Sequence, residues 1–306
     1  MIYTVTLNPA VDYVLYPGAP SGDGIRRTAS ETMRVGGKGI NVSRVLSRLG
    51  MPTVAWGFAA GFTGEWIVRQ LQEEGLRVEF DRLRAGNSRI NVKLAGEPDI
   101  NAQGPAVDNV AAEMLLRRVD ALTADDTLVL SGALAKQLTP TFYAAAAARA
   151  AQRGATLVAD TTGQSLLEIL PYRPLLVKPN VHELAETLGR PLQSEREIAA
   201  AAAELQRQGA QYVLVSLGEN GALLREPSGH TLAVAAPRGI ARCTVGTGDT
   251  MVAGFLMAHA DGYSAAEALC FAVAAGSATA FAGDLASSAE ILTLLPDVPL
   301  PHEVTE

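Results

Sequence analysis

The chain has 306 residues, 48% hydrophobic and 19% charged, with 29 Gly and 16 Pro; this usage excludes a collagenous, disordered or disulfide-dense chain and predicts a soluble fold of one large domain or two small ones. Its 25 Lys and Arg against 32 Asp and Glu leave a net charge of −7, so bulk attraction to nucleic acid or an anionic membrane is disfavoured, and a bound anion must meet a local cationic site. Cys243 and Cys270 belong to no closely spaced Cys/His set, which leaves a disulfide framework or zinc knuckle unsupported.

In chain order, Met1 to Leu7 alternates as a strand does and lacks the basic region, apolar run and cleavage site of an export signal, pointing to a cytoplasmic protein. Two segments, Val11 to Val35 and Arg84 to Gly104, lack helical periodicity and carry turn residues between short alternating stretches such as Ile90-Asn91-Val92-Lys93-Leu94. They read as a small β lid. Gly24 to Lys38 sets Arg26, Arg27, Arg34 and Lys38 against Glu31, and Arg82 to Lys93 holds Arg82, Arg84, Arg89 and Lys93 with no acid. A basic lid over an acidic body suggests an anionic ligand beneath it, and a solvated edge strand accounts for the same charges equally well.

Gly36-Gly37-Lys38-Gly39-Ile40-Asn41 runs into Val42, Val45, Leu46 and Leu49, a glycine loop opening a helix. It is not a P-loop, because Gly follows Lys38. Its glycines permit close approach to a hydroxylated ligand, Asn41 can donate and accept, and Lys38 can meet a phosphate. A tight strand-to-helix turn with an exposed Lys is the alternative.

From about residue 107, β-branched runs at Thr127 to Ser131, Thr156 to Asp160, Leu175 to Val177 and Tyr212 to Ser216 alternate with helical stretches at Pro140 to Arg153, Val181 to Leu188 and Ser194 to Gln208. This is the pattern of a parallel sheet covered by helices, whose ligands sit beyond the strands' carboxyl ends at Ser131, Asp160, Asn180 and Ser216. Asn180 and Glu183 lie one helical turn apart, able to hold a hydrated Mg²⁺ or to form a capping box. Ser216-Leu217-Gly218-Glu219-Asn220-Gly221 could wrap a nucleotide or make a plain hairpin turn. Val245-Gly246-Thr247-Gly248-Asp249-Thr250 precedes a strongly apolar helix beginning near Thr250, where the N–H groups of residues 247 to 249 can converge on an anion and Asp249 can take a proton. Asp is also the residue type expected of an N-cap. Ala265 to Ala282 is the longest candidate membrane span, but Glu267, Gly276 and Ser277 interrupt it and it reads as a buried helix.

Together these motifs, with Asn8-Pro9-Ala10-Val11-Asp12, Ser88-Arg89, Ser131-Gly132 and Lys178-Pro179-Asn180 in the same order, resemble the ribokinase-like carbohydrate kinases of the PfkB family over essentially the whole chain. The chain looks most like the 1-phosphofructokinase branch, with tagatose-6-phosphate kinases close. The resemblance implies a single ribokinase-like α/β domain over 1–306, a mostly parallel sheet flanked by helices with the β lid attached. It implies ATP-dependent phosphorylation of a ketohexose phosphate, first fructose 1-phosphate to fructose 1,6-bisphosphate, with tagatose 6-phosphate or fructose 6-phosphate as alternative substrates.

On that likeness Asp249 is the proton acceptor, and Gly246, Thr247 and Gly248 with it form the anion hole. Asp12, Gly36, Gly37, Asn41 and Ser131 face the sugar, Arg89 and Arg27 its phosphate. Lys38, Asn180, Ser216, Gly218, Glu219, Asn220, Gly221 and Gly248 face ATP, while Asn180 and Glu183 hold Mg²⁺ through water. The likeness also implies a homodimer through the lid. The segment Ala282-Gly283-Asp284-Leu285 is shorter than the family's loop, so no monovalent-cation site carries over. A nicotinamide oxidoreductase would need a glycine fingerprint where Asn8-Pro9-Ala10 stands. A silent sugar-phosphate sensor would lack the base or the nucleotide loop, and both are present.

Overall fold

The computed structural model describes residues 1–18, 25–94 and 97–305. The chain begins with β1 (Ile2–Thr6), β2 (Ala10–Pro17), β3 (Thr28–Gly36), α1 (Lys38–Arg48), β4 (Thr53–Ala60), α2 (Gly61–Glu73), β5 (Arg77–Leu83), β6 (Arg89–Leu94) and β7 (Ile100–Asn101). It continues through α3 (Asn109–Val119), β8 (Thr127–Ser131), α4 (Pro140–Gln152), β9 (Thr156–Asp160), α5 (Gly163–Ile169), β10 (Leu176–Val177), α6 (Val181–Leu188), α7 (Glu195–Arg207) and β11 (Tyr212–Ser216). It closes with β12 (Ala222–Arg225), β13 (Thr231–Val234), α8 (Thr247–Ala260), α9 (Ala265–Ala282), α10 (Ser288–Leu294) and β14 (His302–Glu303).

The large sheet has the order β14-β13-β12-β11-β10-β9-β8-β1-β4-β5. It is parallel from β11 to β5, as the alternation of strands and helices predicts, while β12, β13 and β14 are antiparallel at one edge. Strands covered on both faces must be apolar on both. Leu128 and Leu130 of β8 accordingly join one core with Ala146, Leu166 and Leu205, whereas Val129 between them joins the other with Val42, Phe255 and Phe271. Four helices stop or start on local signals: Pro140 opens α4, Gly189 ends α6 in the left-handed region, and Ser194 with Glu197 and Ser264 with Glu267 make capping boxes on α7 and α9.

The apolar α9 is a core helix, as its interrupted sequence predicts: Leu269, Phe271, Ala272 and Val273 are buried. It lies close against α8 because Gly254 has no side chain. A Cβ there would stand 2.9 Å from Ala275 Cβ.

The second sheet has the order β3-β2-β6-β7. It occupies the two segments expected to form a lid and extends one residue beyond the first at each end, to Ala10 and Gly36; residues 19–24 and 95–96 of those segments lie outside the described residues. Its root is fixed by a third cluster, in which Val11 and Val35 pack on Ile40, Ile67 and Leu71 of α1 and α2.

Candidate active site

The glycine turn places Asp249 in the first turn of α8, which starts at Thr247 rather than near Thr250 because Gly246 adopts φ 82° and serves as the N-cap. Asp249 is therefore inside the helix and is not its cap. Thr247 N donates to Thr244 O and Thr250 N to Gly246 O, while the N–H groups of Gly248 and Asp249 stand at the helix end, where no preceding turn supplies acceptors. Asp249 is 5% exposed. Its Oδ2 accepts a 2.7 Å bond from Asn41 Nδ2 on α1. Burial, reinforced by the nearby carboxylate of Asp160, raises its carboxyl to about 7 against the pull of Asn41, Lys38 and Lys178. A carboxylate poised near neutrality and aimed into a cavity is a fit general base.

Behind the turn lies a buried charge network. Asp160, at the carboxyl end of β9, is 1% exposed and its Oδ1 lies 3.3 Å from Lys38 Nζ and 3.4 Å from Lys178 Nζ. Burial works against its charge, but the two ammonium groups outweigh burial and hold it below the usual carboxylate range. Lys38 also reaches Glu183 Oε1 at 3.4 Å, and its carboxylate neighbours raise it despite burial. Lys178 sits over the turn: a Cβ on Gly248 would stand 2.9 Å from its Nζ.

The lid supplies the opposite wall. Asp12 on β2 accepts 2.8 Å from Asn91 Nδ2 and pairs with Lys93 Nζ at 3.7 Å. Arg89 Nε is anchored on Asn8 O at 3.1 Å, and burial lowers its pKa. The Oδ1 of Asn91 is buried with no partner, an acceptor suited to a ligand hydroxyl. Asp12, Arg89 and Asn91, with Gly37, Asn41, Lys178 and the 246–249 turn, enclose about 370 Å³. A second cavity of about 780 Å³ runs from Gly218, Glu219 and Gly221 to Val273, Ala280 and Phe281. Asn180, Ser216, Thr244 and Thr247 line both. One small polar and one longer, half-apolar chamber thus meet at the α8 N-terminus.

Most of the residues singled out from sequence converge here: Asp12, Gly37, Lys38, Asn41, Arg89, Asn180, Glu183, Ser216, Gly246, Thr247, Gly248 and Asp249 line the smaller cavity, and Gly218, Glu219 and Gly221 the larger. Four do not. Ser131 ends β8 buried, its Oγ unpartnered, and lines neither cavity. Asn220 lies in the β11–β12 connection and lines neither cavity; that connection is also the hairpin that its Asn-Gly pair predicts. Gly36 lines neither, but a Cβ on it would stand 2.6 Å from Asp12 Oδ2, so its lack of a side chain makes room for that carboxylate. Arg27 is exposed at the approach to β3, outside both cavities.

Asn180 and Glu183 do two things at once. Asn180 Oδ1 accepts from Glu183 N and Glu183 Oε2 from Asn180 N, each at 2.8 Å, a capping box on α6; Glu183 Oε1 still faces Lys38 in the cavity. No cluster of three or more His, Cys, Asp or Glu side chains forms a metal cage among the described residues.

The sequence marks Asp160 as a strand-end ligand position without giving it a role, and it leaves Lys178 and Asn91 as motif members with none. Asn91 was recoverable, because alternation on β6 puts Arg89, Asn91 and Lys93 on one face.

Over residues 5–292 the chain matches the pfkB family of carbohydrate kinases. It is 39% identical over 300 residues to the 1-phosphofructokinase of Bacillus subtilis, covering 97% of this chain and 98% of that protein. It is 34% identical over 305 residues to the D-tagatose-1-phosphate kinase of Bacillus licheniformis, covering 99% and 100%. The crystal structure of phosphofructokinase-2 from Escherichia coli in complex with fructose-6-phosphate superimposes with a TM-score of 0.87 at 29% identity, over 96% of this chain and 98% of that one. With a glycine turn at the junction of two cavities and these likenesses over nearly the whole chain, the chain belongs to the pfkB family of carbohydrate kinases.

Proposed function

We propose that the protein transfers the γ-phosphoryl group of ATP to the free primary hydroxyl of a ketohexose 1-phosphate, fructose 1-phosphate giving fructose 1,6-bisphosphate. The observation that carries this is Asp249: a buried carboxyl tied to Asn41 at the junction of two cavities, with helix N–H groups and Lys178 beside it. Asp249 takes the hydroxyl proton as the sugar oxygen bonds to the γ-phosphorus and the bond to the ADP oxygen breaks. The N–H groups of the turn and the ammonium groups of Lys38 and Lys178 offset the charge on the transferring group.

The larger cavity takes the nucleotide, with Val273, Ala280 and Phe281 against the base and the Ser216–Gly221 turn along it. In the smaller, Asp12 and Asn91 hold sugar hydroxyls, and Arg89, fixed through Nε, offers its remaining N–H groups to the substrate phosphate. Glu183 and Asn180 would hold Mg²⁺ through water, and the ion when bound neutralises phosphate charge.

Two relatives are named for 1-phosphorylated ketohexoses, which favours C1 over C6 as the position of the existing phosphate and makes tagatose 1-phosphate the second reading. The test is a steady-state panel with Mg-ATP: fructose 1-phosphate, tagatose 1-phosphate, fructose 6-phosphate, tagatose 6-phosphate and free fructose. A higher kcat/KM for free fructose than for any phosphate would refute the assignment.

The chain works as one unit, its lid face opposite Asp12 covered by a second copy. That face carries Tyr13, Leu15, Met33, Ile90, Val92 and Ile100 by strand register. Sedimentation at micromolar concentration should give a dimer.

A further inference from the structure

Arg34 stands on β3 opposite Asp12 in register, on the cavity side of the lid, yet it does not line the cavity. Its Nη1 donates instead to the carbonyl of Gly283, at 3.0 Å. Gly283, at φ 80°, ends α9, the helix that supplies Val273, Gly276 and Ala280 to the larger cavity. A guanidinium there meets both an unsatisfied carbonyl and the negative end of a long helix.

The chain beyond Gly283 leads back to the catalytic turn. Leu285 is buried, and a Cβ on Gly246 would lie 2.6 Å from its Cδ2. Ala286 N donates to Thr279 Oγ1 at 3.0 Å, Thr279 Oγ1 to Thr250 Oγ1 at 3.0 Å, and Thr250 Oγ1 to Gly246 O at 2.8 Å. Arg48, from the end of α1, grips the same segment through the carbonyls of Leu285 and Ala286. A continuous set of contacts therefore joins lid strand β3 to the residue that opens the Asp249 turn.

We propose that Arg34 is a positioning residue that latches the lid to the 283–286 segment, so that the lid over the sugar and the turn carrying Asp249 are held as one state. A four-stranded sheet fastened mainly at its root is among the weaker parts of a fold, and a single charge-assisted tie at that root has leverage over it. Residues Thr28 to Glu31 at the far end of β3 are exposed, whereas Arg34 sits at the end of the strand that meets the body of the fold. The kinetic consequence rests on the kinase reading; the mechanical one does not.

The test is amide hydrogen exchange on the full chain without ligand, comparing wild type, Arg34→Met, Arg34→Lys and the exposed-pair control Arg69→Ala. Arg34→Met should speed exchange both in β2 and β3 and in residues 244–249, leaving β8 and α4 unchanged; Arg34→Lys should restore part of the protection, and the control should match wild type. In turnover with Mg-ATP and the preferred ketohexose phosphate, Arg34→Met should raise the sugar KM about tenfold, the order expected for one charge-assisted hydrogen bond. Exchange unchanged in the lid, or a loosened lid with an unaffected 244–249 turn, overturns the latch. A wild-type protein inactive on every sugar phosphate contradicts the kinase substrate alone, and the exchange result then decides the latch by itself.

Discussion

Asp249→Asn separates the stability cost of the proposed base from its catalytic gain. The carboxyl titrates near 7 in the folded protein, against an ordinary 3.8, because burial and Asp160 disfavour its charge. Between those two values the folded chain keeps a proton that the unfolded chain has lost, so wild-type stability falls as pH rises through the window and levels off above about 7. At 1.36 kcal/mol per pH unit the accumulated cost is roughly 4 kcal/mol at pH 8. Asparagine keeps an acceptor for Asn41 Nδ2 and has no proton to lose. The variant should therefore be more stable than wild type by up to about 4 kcal/mol in urea unfolding at pH 8, with the gap closing toward pH 4. Its kcat should fall about 10² to 10⁴-fold. A variant no more stable at pH 8 would refute the strained carboxylate, and a kcat within tenfold of wild type would refute the base.

The other predictions use the same network. In the wild-type enzyme kcat/KM should decline below about pH 7 as Asp249 protonates; Asp160→Asn should move that limb to lower pH by removing the repulsion and freeing both lysines, and should destabilise the fold by about 3 to 5 kcal/mol by leaving the buried ammonium group of Lys178 short of a partner. An unmoved limb would dissociate Asp160 from the base. Glu183→Gln preserves a capping box, so the melting temperature should hold while the Mg²⁺ needed for half-maximal rate rises; an unchanged Mg²⁺ titration leaves the residue a cap. Arg89→Ala should raise the sugar-phosphate KM about 10 to 150-fold, with the ATP KM little changed and Arg117→Ala silent. Equal small effects for Arg89 and Arg117 would remove the phosphate contact.

Local pattern settled much of this protein. The strands Thr127–Ser131, Thr156–Asp160 and Tyr212–Ser216 fall where β-branched runs are bounded by turn residues, because strand formation at a doubly covered position depends on a short apolar run that is visible in the residues themselves. The glycine turns at 36–41 and 245–250 are likewise local: a positive φ at Gly37 and Gly246 demands glycine wherever the turn ends up. Less was legible where the information is not local. The β4–α2–β5 unit of the first third and the antiparallel β12–β14 edge depend on which strands become neighbours, and no periodicity within a segment encodes its neighbour.

The site shows the same division more sharply. Asp249 and Asn41 are 208 residues apart in the chain and Lys38 and Asp160 are 122 apart, so their contacts follow from strand order and helix packing alone. Ser131 and Asp160 both end parallel strands at the same level of the sheet; Asp160 became the hub of Lys38 and the buried Lys178, while Ser131, flagged with equal reason, keeps a buried Oγ with no partner. The residues determined which strands end in polar groups and where the backbone can turn. Only the tertiary structure decided which of those groups meet, because a charge's partner, burial and pKa are properties of the space between elements and not of the sequence within them.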